Sequence, residues 1–358
     1  MPALRKLVIK PTIRCYQRCD YCVLRQAYYQ KMVATAAAAG MPPDSAGVLP
    51  VDVALSAIRQ GYAAGMRECL FSGGDPLLYP HLVRLVRAAS DTGAFVYLNS
   101  VAPAIRPEQV TNLLGNGLQA WNFSLDSVDQ RVNDYLRGVD GAFRQTTDAI
   151  AVVHNAVLGS EAPRRCYVNV MTVITRHNFR GLPDLLDWAL VNEITAIYMM
   201  NVYGDLQGRF LLNAEEIREF RGDVVPKMLH VIAQHAGHNS IVANNAETVL
   251  TSFFSHDNPI ENYALGIYWE SGADAKNACG VPNYSLHLQP NGDVLPCCMP
   301  EISEDAEVGS LLTSSLSDVW NGEMIGSFRD HRIPFCLRCP VPRNRTLGLI
   351  PEMCRQFP

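Results

Sequence analysis

The chain alternates short apolar runs with longer stretches in which apolar positions recur every three or four residues. The short runs are Leu7–Ile13, Glu68–Phe71, Phe95–Asn99, Ala120–Leu125, Tyr167–Ile174 and Ala196–Val202, and they read as strands. Helix candidates lie between them, with clear start and stop signals. One opens at Pro50-Val51-Asp52 and runs to Gly65; another spans His81 to Ser90 and ends before Gly93. A third follows Pro107 and stops at Gly115 or Gly117, and two more cover Ala142–Ala156 and Leu182–Val191. Six strand-then-helix units in succession predict a parallel sheet with right-handed crossovers, either open or curled into a barrel.

Three stretches break this rhythm. Val23–Leu49, with its Ala34–Ala39 run and Met41-Pro42-Pro43, reads as a lid or a short Ala-rich helix. Residues 204–278 read as helices with connecting loops, over Asn213–Gln234 and Ala246–Phe254. After Cys279, Ser285–Gln289 and Asp293–Leu295 flank Pro290-Asn291-Gly292, which predicts a hairpin closed by a tight primed turn.

Composition narrows the class. Of 358 residues, 48% are hydrophobic and 18% charged, enough for a large core and incompatible with global disorder. The net charge is −5 and there is no basic block, which argues against a nucleic-acid platform. No apolar run reaches membrane-spanning length, and the first residues lack the apolar core of a signal peptide. The expectation is a soluble cytoplasmic protein with no membrane partner.

Cysteine placement carries more information. Nine of the 11 cysteines fall into two groups, within residues 15–22 and 279–354, and only Cys69 and Cys166 lie between, in strand candidates where they read as core packing. In a reducing compartment such clusters bind metal or do chemistry rather than form disulfides. Cys15, Cys19 and Cys22 are spaced C-x3-C-x2-C directly after the first strand. Three thiolates on one loop suit a [4Fe–4S] cube with one iron open to a chelating small molecule. Zinc is the alternative, although a closed structural zinc site takes four ligands. About fifty residues on, the second strand ends in Ser72-Gly73-Gly74-Asp75-Pro76. Parallel sheets bind ligands at such strand ends, and glycine lets backbone approach them closely.

Taken together these residues resemble the radical S-adenosylmethionine (radical SAM) superfamily over nearly the whole chain. Cys15, Cys19, Tyr21 and Cys22 are similar to its cluster motif, whose aromatic packs near adenine. Gly73-Gly74-Asp75-Pro76 resembles its Gly-Gly-Glu-Pro motif, which holds the methionyl amine, with Asp75 in place of Glu. Ser124-Leu125-Asp126 and Arg137-Gly138 resemble the segment around the ribose and carboxylate contacts, and Ser72 and Asn99 are further SAM-binding candidates. The resemblance implies an α/β fold, a partial (β/α)6 TIM-like barrel over residues 1–210. It also implies a helical connection over 211–278 and a small Cys-rich domain over 279–358. In that family one electron from the cluster cleaves SAM, and the 5′-deoxyadenosyl radical then takes hydrogen from an unactivated carbon. An external reductant such as flavodoxin or ferredoxin supplies the electron.

The second cysteine group resembles the SPASM and twitch auxiliary-cluster extensions of these enzymes. Cys279-x17-Cys297 and Cys336-x2-Cys339 would ligate one auxiliary [4Fe–4S] cluster, with zinc as the plain alternative. The two further cysteines of a full SPASM domain are missing from Pro340–Pro351, which favours the twitch form. Cys298 and Cys354 are then spare, either bystanders, extra ligands or catalytic thiol hydrogen donors. Oxidation of an alcohol carbon with the auxiliary cluster as electron acceptor ranks first, ahead of epimerisation through a thiol and dehydration. The cluster motif lies too near the N-terminus for a preceding peptide-recognition domain, which favours a small polar sugar, aminocyclitol or nucleoside over a peptide. Asn201 and Tyr203, closing the sixth strand, are candidate substrate contacts. A zinc or iron–sulfur binding protein without SAM chemistry would leave Gly73-Gly74 and Ser124/Asp126 without a task.

Overall fold

The computed structural model describes residues 3–22, 24, 27–38, 47–103, 105–158, 166–202, 208–235, 259–267, 280–297, 307–331, 337 and 339. Six parallel strands, β1 (Lys6–Ile9), β2 (Glu68–Phe71), β3 (Phe95–Ser100), β4 (Ala120–Ser124), β5 (Tyr167–Ile174) and β6 (Ala196–Asn201), lie side by side in chain order. All six occupy predicted segments, with ends shifted by up to four residues. β1 and β6 do not pair, so the barrel is open. The helices between strands are α1 (Ala27–Ala38), α2 (Val51–Ala63), α3 (Leu82–Asp91), α4 (Pro107–Gly115), α5 (Gln130–Arg137), α6 (Ala142–Leu158) and α7 (Leu182–Val191). The excursion after Val23 therefore contains a helix, starting before its alanine run. Among the described residues no helix is long and apolar enough to cross a membrane.

Strand alternation gives the sheet two different faces. Leu7, Phe71, Leu98, Trp121, Val170 and Ile197 point outward into one continuous core with residues of α2, α3, α4, α6 and α7. Cys69 and Cys166 belong to this core, where burial pushes the Cys166 thiol up to about 12. The opposite face lines the barrel lumen. At its N-terminal end Phe95, Tyr97 and Ala120 pack with Leu70 and Tyr167. Lys6 Nζ sits 3.9 Å from Glu68 Oε2 and 5.3 Å from the Tyr97 ring centroid, and the Tyr97 hydroxyl donates to the same carboxylate at 3.4 Å. These residues plug the lumen from below.

The hairpin does not stand apart from this sheet. β7 (Ser285–Leu288) pairs in parallel with β1, Val8 opposite His287, and β8 (Asp293–Leu295) and β9 (Gly309–Ser310) continue the sheet beyond it. The connection differs from the expected primed turn. Gln289 and Asp293 enclose three residues, Gly292 N–H donates to Gln289 O at 2.9 Å, and Gly292 has φ +86° while Asn291 is not left-handed. A type I′ turn on Asn291-Gly292 needs positive φ at both positions; a type I turn with Pro290 at its second position, followed by left-handed Gly292, needs only one. Further helices are α8 (Ala214–Glu219), continued by a π turn (Phe220–Val224) into α9 (Val225–Gln234), then α10 (Ile260–Ala264), α11 (Leu316–Asn321) and α12 (Glu323–His331). The predicted Ala246–Phe254 helix lies outside the described residues.

His287 faces the lumen on β7. Burial, with Lys10 and Lys6 nearby, holds its imidazole neutral far below the usual range. The unfolded chain restores a pKa of about 6.5. As pH falls below that value the unfolded state takes up a proton that the fold refuses, so stability declines by up to about 1.4 kcal/mol per pH unit. Urea titrations at pH 7, 6 and 5 should show this acid loss, and His287→Gln should flatten it. An unchanged slope in the variant would place the loss elsewhere.

Candidate functional site

The cysteine loop leaves the C-terminal end of β1 and is held by backbone on both sides. Gly74 N–H donates to Thr12 O at 2.8 Å and Asp75 N–H to Arg14 O at 2.6 Å. A Cβ on Gly74 would stand 2.0 Å from Arg14 O; one on Gly73, at φ +106°, would stand 2.8 Å from Thr12 O. On the far side Arg18 N–H donates to Arg137 O at 3.0 Å. There Gly138, left-handed at φ +65°, would bring a Cβ within 2.6 Å of Arg18 O. The loop thus lies between two glycine surfaces that no other residue could supply without moving it.

Within the loop Cys22 N–H donates to Cys19 O at 3.1 Å, and Gln17 N–H points to Cys15 Sγ at 3.4 Å. Burial pushes the Cys15 thiol up to about 12 and the Cys19 thiol to about 11, with the Arg137 guanidinium pulling Cys19 the other way. Such sulfurs become thiolates only against a bound cation. Among the described residues no three His, Cys, Asp or Glu side chains converge on a point fit for one metal ion. A four-iron cube suits this arrangement better, because each cysteine then takes a different iron.

Asp126, just beyond β4, ties the loop to the barrel rim. Its carboxylate accepts from Arg137 Nη2 at 2.8 Å, from the Tyr21 hydroxyl and from Val173 N–H at 2.9 Å. Asn133 and Asn178 hold its backbone at 3.0 and 2.8 Å. Asp126 is wholly buried. The side chains expected to meet SAM therefore divide. Asp126 is committed internally, and so is Asp75, whose carboxylate accepts from Leu77 N–H, the Ser100 hydroxyl and Val101 N–H. Both carboxylates thus fix the backbone around them. Arg137 differs: its guanidinium pairs with Asp126 and hydrogen-bonds the Cys19 thiol, while its Nε is buried with no hydrogen-bond partner among the described residues. Ser72, Gly73 and Gly74 at the end of β2, Asn99 in β3 and Ser124 ending β4 surround the same mouth, with Asn99 Nδ2 donating to Ser72 Oγ at 3.2 Å.

Tyr21 is buried and packs edge-on to Phe210 at 5.7 Å, and Phe210 meets His177 at 5.6 Å. Phe210 was not visible in the sequence pattern, since it follows β6 with no local motif. Asn201 falls on the helix-facing side of β6, not the lumen, because the lumen face carries Ala196 and Tyr198. Tyr203 lies outside the described residues, as do Cys279, Cys336, Cys298 and Cys354. Of the second cysteine group, Cys297 follows β8 and is half-buried, and Cys339 packs against the main core.

Residues 9–189 match the family model of the radical SAM superfamily, and residues 279–340 that of the SPASM iron–sulfur cluster-binding domain. A relative named AdoMet-dependent heme synthase, from Methanosarcina barkeri, is 32% identical over 111 residues, spanning 31% of this chain and 32% of that protein. A PqqA peptide cyclase from Ruegeria pomeroyi is 24% identical over 344 residues, 95% of this chain and 80% of that protein. Among solved structures, Streptococcus suis SuiB bound to precursor peptide SuiA superposes with TM-score 0.65 at 16% identity, covering 92% of this chain and 67% of that one.

The glycine contacts yield a direct expectation. Gly74→Ala should keep its far-ultraviolet circular dichroism yet fail to assemble iron and sulfide on the N-terminal cysteines. Gly115→Ala, where a Cβ meets nothing within 4 Å, serves as the neutral control. Normal iron loading in Gly74→Ala would show that the loop is not held as described.

Proposed function

The chain belongs to the radical SAM superfamily, and on that premise we propose that it oxidises a carbon of a peptide-type substrate held in the barrel lumen. The observation that carries this reading is the convergence of Cys15, Cys19 and Cys22, the Gly73–Gly74 backbone and the Arg137 guanidinium at one C-terminal mouth of the parallel sheet. Bound there, the [4Fe–4S] cluster and SAM supply a reductively generated carbon radical able to take a hydrogen atom.

The chain's own residues do the positioning. Gly73 and Gly74 present backbone to the methionyl end, Arg137 receives the carboxylate, and Ser124 and Asn99 lie along the ribose side. Tyr21 and Phe210 form an apolar edge suited to adenine. The Lys6, Glu68 and Tyr97 plug keeps water from entering below. Cys297, Cys339 and the remaining cysteines of that group would hold an auxiliary cluster, which would supply a one-electron acceptor beside the substrate.

The peptide class replaces the small polar molecule favoured by the sequence. Its support is that the relative matched over nearly the full chain is named a peptide cyclase, and that SuiB is seen with a precursor peptide.

Anaerobic reconstitution should give about eight irons per chain, in two four-iron sites. Cys15→Ala should lose reductive SAM cleavage altogether, read as 5′-deoxyadenosine by chromatography. Arg137→Met should weaken SAM binding by roughly tenfold or more, the scale of a charge-assisted hydrogen bond. Undiminished 5′-deoxyadenosine from Cys15→Ala would remove the assignment.

A further inference from the structure

Asn99, Asn122 and Asn169 sit in direct register on the lumen face of β3, β4 and β5. Asn169 Nδ2 donates to Asn122 Oδ1 at 2.8 Å, Asn122 Nδ2 to Asn99 Oδ1 at 2.8 Å, and Asn99 Nδ2 to Ser72 Oγ at 3.2 Å. Each amide donates toward β2, so the carbonyls face the β6 side. The next position in register there is Ala196, whose methyl offers no donor. Asn169 Oδ1 is left buried with no partner, in a side chain 2% exposed. An unmet buried acceptor is costly to leave so.

The open end is the one farthest from Ser72, which stands at the mouth beside Asn99. Asn169 precedes Val173, whose N–H holds Asp126 at the rim, by four residues, about 13 Å back along β5 at roughly 3.3 Å per residue. The missing group must be a donor, and its chemistry is constrained. A hydroxyl would bring lone pairs that the Ala196 wall cannot satisfy. An ammonium would bring a charge into a lumen whose Glu68 is already engaged by Lys6. A backbone N–H donates one hydrogen from an atom with no lone pair to satisfy, and the carbonyl of its trans peptide unit points the opposite way, off the Ala196 wall.

We propose that Asn169 Oδ1 anchors a peptide-type substrate by accepting a backbone N–H that completes the amide ladder beside Ala196; this rests on the peptide reading above. Anaerobically reconstituted holoenzyme is titrated calorimetrically with N-acetylalanine N-methylamide, with its fully N-methylated counterpart and with myo-inositol. The N–H-bearing amide should bind about tenfold tighter than the methylated one. That preference should vanish in Asn169→Leu, and in Ala196→Ser, whose hydroxyl closes the ladder from within. Ala196→Ser should keep the wild-type far-ultraviolet circular dichroism, so that lost selectivity is not lost folding. Equal binding of the two amides, no measurable binding of either, a preference that survives both variants, or tighter Asn169-dependent binding of myo-inositol would each overturn the proposal. The titration does not depend on SAM cleavage. An enzyme that binds the amide selectively yet forms no 5′-deoxyadenosine would refute the reaction and spare the anchor.

Discussion

The ion pair between Asp126 and Arg137 joins parts of the chain that have no other reason to meet. Asp126 follows β4 and Arg137 ends α5, and through them the cysteine loop, the β5 backbone and Tyr21 share one buried network. Taking both charges out of water is expensive, and the pair is supported by the further donors that Tyr21, Thr172 and Val173 bring to the carboxylate. Removing either partner strands the other in the interior at a cost of about 3–5 kcal/mol. The disruption would reach the cysteines first, since Arg137 O also holds the backbone of Arg18 and receives the Cys19 thiol at 3.7 Å. Cofactor geometry and fold stability are therefore coupled here rather than separable.

That coupling shapes how the site divides its labour. Two carboxylates stand at strand ends where a ligand would arrive, and both are spent on the scaffold. What stands at the mouth is mostly backbone from glycines and neutral side chains, with the buried Arg137 guanidinium behind Cys19. Such an environment suits a zwitterionic nucleotide, because it offers an anion partner without a competing fixed anion. Below it the lumen wall on β3 to β5 is a row of amides, while Lys10 and His287 occupy the wall made by β1 and β7.

Much of this was legible in the residues. The six strands carry short apolar runs bounded by glycine and proline, and the cysteine spacing with Gly73-Gly74 at a strand end marked the cofactor mouth. The α5 helix was not foreseen, because eight residues give too little periodicity; its signals, Asp129 as cap and left-handed Gly138 as stop, are visible only once the helix is known. Strand pairing between β1 and β7 joins positions nearly 280 residues apart, which no local pattern encodes. The sequence also shows a carboxylate without showing where it points, and so Asp75 and Asp126 read as ligand contacts. The asparagine ladder could have been found. Each of three predicted strands carries one asparagine, Asn122 and Asn169 between apolar neighbours and Asn99 at a strand end, an anomaly for a core strand that, repeated in register, marks a polar lumen.

β1 is the plank between the two iron–sulfur regions. Its far end opens into the N-terminal cysteines, and its edge carries β7, whose hairpin leads to Cys297. The N-terminal cysteine loop and Cys297 are thereby joined through hydrogen-bonded backbone. The same arrangement makes the carboxy-terminal region a lid on an otherwise naked sheet margin. A chain interrupted before residue 280 would present β1 as an uncovered edge, open to pairing with its neighbours, and would be prone to clump before it could be loaded with iron.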